Sequence, residues 1–271
     1  MHYIDRKNCN NPPLDLLKKL DEKYKVLWVE YHKSKYNPNI KNLSRPNTGW
    51  SSNKIRHPLG ILFYKNCGYC GIHTDLGSDA EIDHHFPISL NLLTDKIYCW
   101  HNYIWSCHSC NNIKNKYYPF LDPCLKSDIK YIYFNESDGK YMCYINAPSD
   151  IKEKFENTEE YSNLNDKNRP DARKCLSRDV LQIYLSALKM SHKLYIVEKD
   201  IQGEDASETE EALKVFHQKK DYFLDFIKSG NYLFLIKDIF EIFCIENSCD
   251  FPFTFEELLD ETDYLKIDGY S

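Results

Sequence analysis

Two Cys-x-x-Cys pairs, Cys67/Cys70 and Cys107/Cys110, bracket the run Glu81-Ile82-Asp83-His84-His85-Phe86-Pro87, and Asn111 follows the last cysteine directly. Four thiolates at this spacing can close a tetrahedral shell around one Zn²⁺. Such a shell leaves the ion no open position for water or substrate, so its role is structural. The residues between the pairs offer a carboxylate, an imidazole and a side-chain amide to a second cation. A hard ion such as Mg²⁺ or Mn²⁺ takes oxygen ligands and keeps open positions.

The stretch from Cys67 to Lys116 resembles an HNH endonuclease. That family's pattern runs from a first Cys-x-x-Cys through Asp-His-x-x-Pro and Trp-x-Asn to a second Cys-x-x-Cys followed by Asn and a basic residue. Here the parts are Asp83-His84-His85-Phe86-Pro87, Trp100-His101-Asn102 and Cys107-His108-Ser109-Cys110-Asn111-Asn112-Ile113-Lys114, in that order. The resemblance implies a two-stranded ribbon and one helix around a catalytic cation, with strands over 80–84 and 103–106 and a helix starting near Cys110. It implies DNA phosphodiester hydrolysis, in which Asp83 and Asn111 are metal ligands, His84 is the general base and Asn102 braces the loop or orients that base.

An imidazole of ordinary pKa, about 6.5, suits proton abstraction near neutral pH. The double histidine allows His85 to be the base instead, but Pro87 stands four residues after Asp83 and favours His84. Structural alternatives stand beside these roles, since Asp caps turns and Asn caps helices. Lys114 and Lys116 are candidates for phosphate contact from the helix, or are simply solvated. His73, His101 and His108 lie near cysteines that already saturate zinc, and Trp100, Trp105, Tyr117 and Tyr118 are expected to pack around the site.

Beyond the motif, the chain is similar to the PtuB-like nuclease subunits of Septu anti-phage systems. The likeness lies in Met1-His2-Tyr3-Ile4-Asp5-Arg6, in Pro12/Pro13 before a leucine-rich helix, and in Leu164-Asn165 with Arg173 downstream. Several such relatives carry Glu at the position of Asp83, which preserves the carboxylate. This resemblance implies an SMC-like (PtuA-like) ATPase partner and invading DNA as target. No Walker A loop occurs in the sequence, so ATP dependence would come from another chain. A stand-alone restriction-type or mobile-element HNH nuclease and an inert zinc-ribbon nucleic-acid-binding module are the rival readings. Self-association is open.

The 271 residues are enough for one elaborate domain or two modest ones, and 42% apolar content argues against wholesale disorder. Eleven cysteines, an odd number with four at metal-ligand spacing, point to a reducing, cytoplasmic compartment rather than a disulfide framework. No signal peptide and no membrane span are expected. The net charge of -6 conceals a polarity: residues 1–66 hold 13 Lys/Arg against 5 Asp/Glu, and residues 201–271 hold 6 against 17. The front suits phosphate, whereas the back repels it and is free for a basic protein partner or for solvent.

The fold class expected is α+β. Residues 1–56 form an N-terminal basic helical region, with Leu17, Leu20, Tyr24, Leu27 and Tyr31 at helical spacing. Residues 57–150 form a zinc-stapled HNH ββα-metal core, opened by a short helix from His57-Pro58 and extended by a hairpin of 129–134 with 140–145. Residues 151–271 form a helical, partner-binding region with helices over 172–199, 207–228 and 232–245.

Overall fold

The computed structural model describes residues 1–262 except 38, 40, 42, 47, 48, 75–78, 91–93, 167, 229 and 231. It mixes helices with two small antiparallel sheets. Contacts divide the chain into two compact units, 1–134 with 141–166, and 135–140 with the described residues from 168 onward.

In the first unit, helix α1 (Leu14–Tyr36) follows Pro13 and buries Leu17, Trp28 and His32. The expected apolar face is rotated. Leu27 is exposed, and Trp28 turns inward because its indole N–H finds the Tyr98 hydroxyl at 3.1 Å, a partner that a buried indole needs. Helix α2 (Asn53–Leu62) starts before the expected His57-Pro58 and contains Pro58, since Ile55, Leu59 and Leu62 recur on one buried face. The N-terminus is tied to the same unit. Ile4 donates to the Pro123 carbonyl at 2.8 Å, and the Arg6 guanidinium donates to the Trp100 and Tyr103 carbonyls.

Strands β1 (Ala80–His84) and β2 (Tyr103–Cys107) pair antiparallel, with Ala80 opposite Cys107 and His84 opposite Tyr103. Helix α3 (His108–Lys114) begins two residues ahead of Cys110. Its N-cap is Cys107, whose sulfur accepts from the Cys110 N–H at 3.4 Å. After the one-turn helix α4 (Lys126–Ile129) comes a hairpin of β3 (Ile132–Asn135) and β4 (Lys140–Cys143), shorter than the alternating runs imply. Asn165 bonds both backbone groups of Tyr141 like a further strand.

Helix α5 (Ser149–Glu160) belongs to this unit, so the contact boundary falls after residue 166 rather than near 150. The physical reason is the burial of Ile151, Phe155 and Thr158, with Thr158 Oγ1 accepting from the Leu121 N–H and Asn157 donating to the Pro119 carbonyl.

The second unit is helical. Helix α6 (Arg169–Asp179) passes through a π-helical turn, Val180–Leu185, into α7 (Ser186–Gln202). Helices α8 (Ser207–Ile227), α9 (Leu233–Glu246) and α10 (Phe255–Glu261) follow; α10 is not expected from periodicity and starts at a Thr254/Glu257 capping box. Leu185, Leu188, Phe216, Phe223, Ile236, Phe240 and Leu258 are among its buried residues. Ile183, Met190, Leu194, Val197 and Ile201 line the exposed side of the turn and α7. Among the described residues no helix is long and apolar enough to cross a membrane.

Candidate metal centre and the adjoining cleft

The knuckles meet through the ribbon. Cys67 and Cys70 sit on a tight turn, where Gly71 donates to the Cys67 carbonyl and Gly68 to the Trp105 carbonyl, both at 2.8 Å. A Cβ on Gly68 would lie 2.9 Å from Ile104 Cγ2 and 2.7 Å from the Phe63 ring, so only glycine lets the turn close on β2. Cys107 ends β2 and Cys110 occupies the first turn of α3.

All four sulfur atoms lie within 4.8 Å of one another, and all four residues are buried. The Cys70 and Cys107 sulfurs are 3.9 Å apart. Zn–S bonds of about 2.3 Å place sulfurs about 3.8 Å apart at the corners of a tetrahedron, so this cluster can hold a metal such as zinc. Burial and neighbouring thiols push the Cys70 thiol well up, whereas hydrogen bonds from the other cysteines outweigh burial at Cys67 and hold its thiol well down. A metal entering this unevenly protonated set would displace protons. Asn163 closes the cluster from beyond α5, with its N–H on the Cys110 sulfur at 3.4 Å and its side-chain amide on Ser109 Oγ at 2.6 Å. Nothing in the spacing of the cysteines marks Asn163.

A cleft of about 540 Å³ opens beside the ribbon. Its lining includes Glu81, Asp83, His84, Asn111 and Asn115 together with Trp28, His32, Lys35, Arg45, Trp50 and Arg56. His84 is buried, with Trp50 packed edge-on at 4.7 Å between centroids and Tyr103 at 5.0 Å. Its Nε2 lies 2.9 Å from the Ile97 carbonyl oxygen. A carbonyl only accepts, so Nε2 carries the proton and Nδ1 holds the lone pair. Burial lowers the imidazole pKa to about 4, against the smaller raising effects of the Ile97 bond and Asp83. The ring is therefore a neutral proton acceptor near neutral pH. His85 does not line the cleft; its Nε2 donates to the Phe120 carbonyl at 3.2 Å and its ring stands edge-on to Tyr118.

Asp83 accepts from the Tyr69 hydroxyl at 2.5 Å and pairs with Lys114 Nζ at 2.9 Å. Lys114 also donates to the His84 carbonyl at 2.9 Å and is completely buried. This corrects the expectation of Lys114 as a phosphate contact on the helix surface. Lys114 lies one turn beyond buried Cys110, on the face of α3 that the metal cluster turns inward. Lys116 remains exposed.

Asn111 donates to a Glu81 oxygen, and His108 Nδ1 bonds the other Glu81 oxygen at 2.7 Å. Glu81 is thus the carboxylate in direct contact with Asn111, a residue passed over by the motif reading. Its signal is its position, two residues before Asp83 and so on the same side of the strand. Asn102 is buried and braces the loop after β1. Its Oδ1 accepts from the Phe86 N–H at 2.7 Å, and its amide donates to the Phe86 and Lys96 carbonyls. It makes no bond to His84, which is oriented by Ile97 instead.

Asp83, Glu81 and Asn111 all line the cleft. No protein-family model and no curated protein matches the chain.

Proposed function

We propose that the protein is a metal-dependent endonuclease of the HNH type that hydrolyses DNA phosphodiester bonds. The observation that carries this reading is His84: its Nε2 is committed to the Ile97 carbonyl, its other ring nitrogen is unprotonated, and it lines a cleft shared with Asn111 and two carboxylates. His84 takes the proton of an attacking water through Nδ1, and the Ile97 carbonyl steadies the imidazolium that forms. Asn102 holds the loop that carries the strand end. Asp83 and Asn111, with Glu81 beside them, would hold Mg²⁺ or Mn²⁺, which when bound polarises the phosphate and eases departure of the 3′ oxygen. The four cysteines would hold a structural Zn²⁺.

We further propose that the protein acts in anti-phage defence with an SMC-like ATPase, which the second unit contacts. The exposed side chains Ile183, Met190, Leu194, Val197 and Ile201 support this, because with Ala187 they follow the alternating four- and three-residue steps of a heptad seam and so fit a partner helix.

One observation favours the inert zinc-ribbon reading, namely that both Asp83 oxygens already have partners in Tyr69 and Lys114. The deciding experiment is cleavage of supercoiled plasmid in Mg²⁺ and in Mn²⁺, with and without an SMC-like ATPase. Metal-dependent nicking that disappears in His84→Ala is expected. No cleavage with any partner or metal would leave the inert reading standing.

A further inference from the structure

Helix α1 contributes Trp28, Tyr31, His32 and Lys35 to the cleft, and one of these side chains has no internal explanation. His32 is 3% exposed, yet neither ring nitrogen has a hydrogen-bond partner. A buried polar group left unmade costs about 1–3 kcal/mol, so such groups are normally paired unless a ligand completes them. The ring packs 5.8 Å from Trp28 and 5.5 Å from Tyr31, centroid to centroid, and lines the same cleft as His84.

Two cations line the same cleft. The Arg45 guanidinium lies over the Trp28 and Trp50 rings at 5.6 and 5.9 Å, and Lys35 is one helical step from His32 on the cleft wall. Among the described residues neither cation has a carboxylate partner. Trp50 links α1 to β1, since its ring packs against both Trp28 and His84.

We propose that His32, Lys35 and Arg45 form a phosphate-binding subsite that seats a backbone phosphate of the nucleic acid next to the one undergoing cleavage. This rests on the nuclease reading for its neighbour, though not for its own chemistry. All three line one cleft, and an imidazole N–H, an ammonium and a guanidinium are donor groups suited to an anion with several acceptor oxygens. Burial, then Lys35, lowers the pKa of the free imidazole, so the ring enters the encounter neutral, with one N–H to give. His32 is a positioning residue. It holds the strand in register and takes no part in proton transfer at the scissile bond.

The test is binding of a fluorescently labelled short DNA duplex to the intact chain, with Ca²⁺ in place of Mg²⁺ so that no cleavage intervenes. His32→Phe removes the donor and Arg45→Gln the exposed guanidinium, while His32→Gln retains an N–H. Losing a hydrogen bond to a charged oxygen should weaken binding about tenfold or more in His32→Phe, and His32→Gln should recover most of it. Arg45→Gln should reduce the slope of log affinity against log salt by about one. In Mg²⁺, KM should rise in His32→Phe while the rate at saturating DNA stays near wild type. Inorganic phosphate should compete with the duplex for wild type and lose that effect in His32→Phe.

Unchanged duplex affinity in both His32→Phe and Arg45→Gln, with native tryptophan fluorescence, overturns the subsite. So does competition by phosphate that ignores His32. If wild type binds in this way but never cleaves, the nuclease reading falls and the subsite stands.

Discussion

Replacing Lys114 with methionine probes the pair its ammonium makes with Asp83. On an exposed helix face, Lys114→Met would change stability by no more than about 0.5 kcal/mol and would weaken DNA binding. In the structure its ammonium is completely buried, 2.9 Å from Asp83 and 2.9 Å from the His84 carbonyl. Methionine matches the length of the lysine stem but leaves the Asp83 carboxylate, itself 5% exposed, with the Tyr69 hydroxyl alone. Breaking one side of a buried ion pair costs about 3–5 kcal/mol, chiefly from the charge left unpaired. Removing that charge as well, in Lys114→Met with Asp83→Asn, should restore at least about 2 kcal/mol, because neutral groups of similar volume are cheap to bury. Urea unfolding followed by tryptophan emission reads the relevant unit, since Trp28, Trp50, Trp100 and Trp105 all lie in the first one. A Lys114→Met variant as stable as wild type, or a double variant no better than the single, would refute the buried pair.

Elemental analysis should find one zinc per chain, and Cys107→Ser with Cys110→Ser should lose both the metal and the fold of the first unit, since a structural zinc contributes about 10–16 kcal/mol of apparent binding energy. His84→Ala should lower plasmid cleavage by about 10²–10⁴-fold with zinc content unchanged, and His85→Ala should retain activity; the reverse pattern would make His85 the base. His84 also predicts acid sensitivity. Its folded pKa of about 4 lies below the 6.5 of an exposed imidazole. Its contribution is therefore complete above about pH 6.5 and is lost as pH falls toward 4, by about 3 kcal/mol in all. An NMR titration of the His84 ring, or a flatter stability profile in His84→Gln, checks this.

Local pattern was enough for the shared metal site. The spacing of Cys67, Cys70, Cys107 and Cys110 implied a common metal, and the four sulfurs do converge. The strands over 80–84 and 103–106 and the helix near Cys110, which the HNH resemblance implied, lie within two residues of the observed bounds. Thiol pairs three positions apart and helical repeats are short-range properties, and a sequence displays them directly. The helical periodicity of 172–245 was legible for the same reason.

Tertiary structure alone decided what those elements turn toward. Helix α1 reads as a separate basic region until Trp28 meets Tyr98, and only then does His32 reach the cleft of His84. Asp83 and Lys114, 31 residues apart, become partners because the cysteine cluster sets the rotation of α3 against β1. Asn163 comes to the Cys110 sulfur only because α5 docks on the first unit. Periodicity tells which residues share a face. It does not tell which face meets which, since burial of a polar group depends on a partner brought from elsewhere in the chain, and that choice is made by packing.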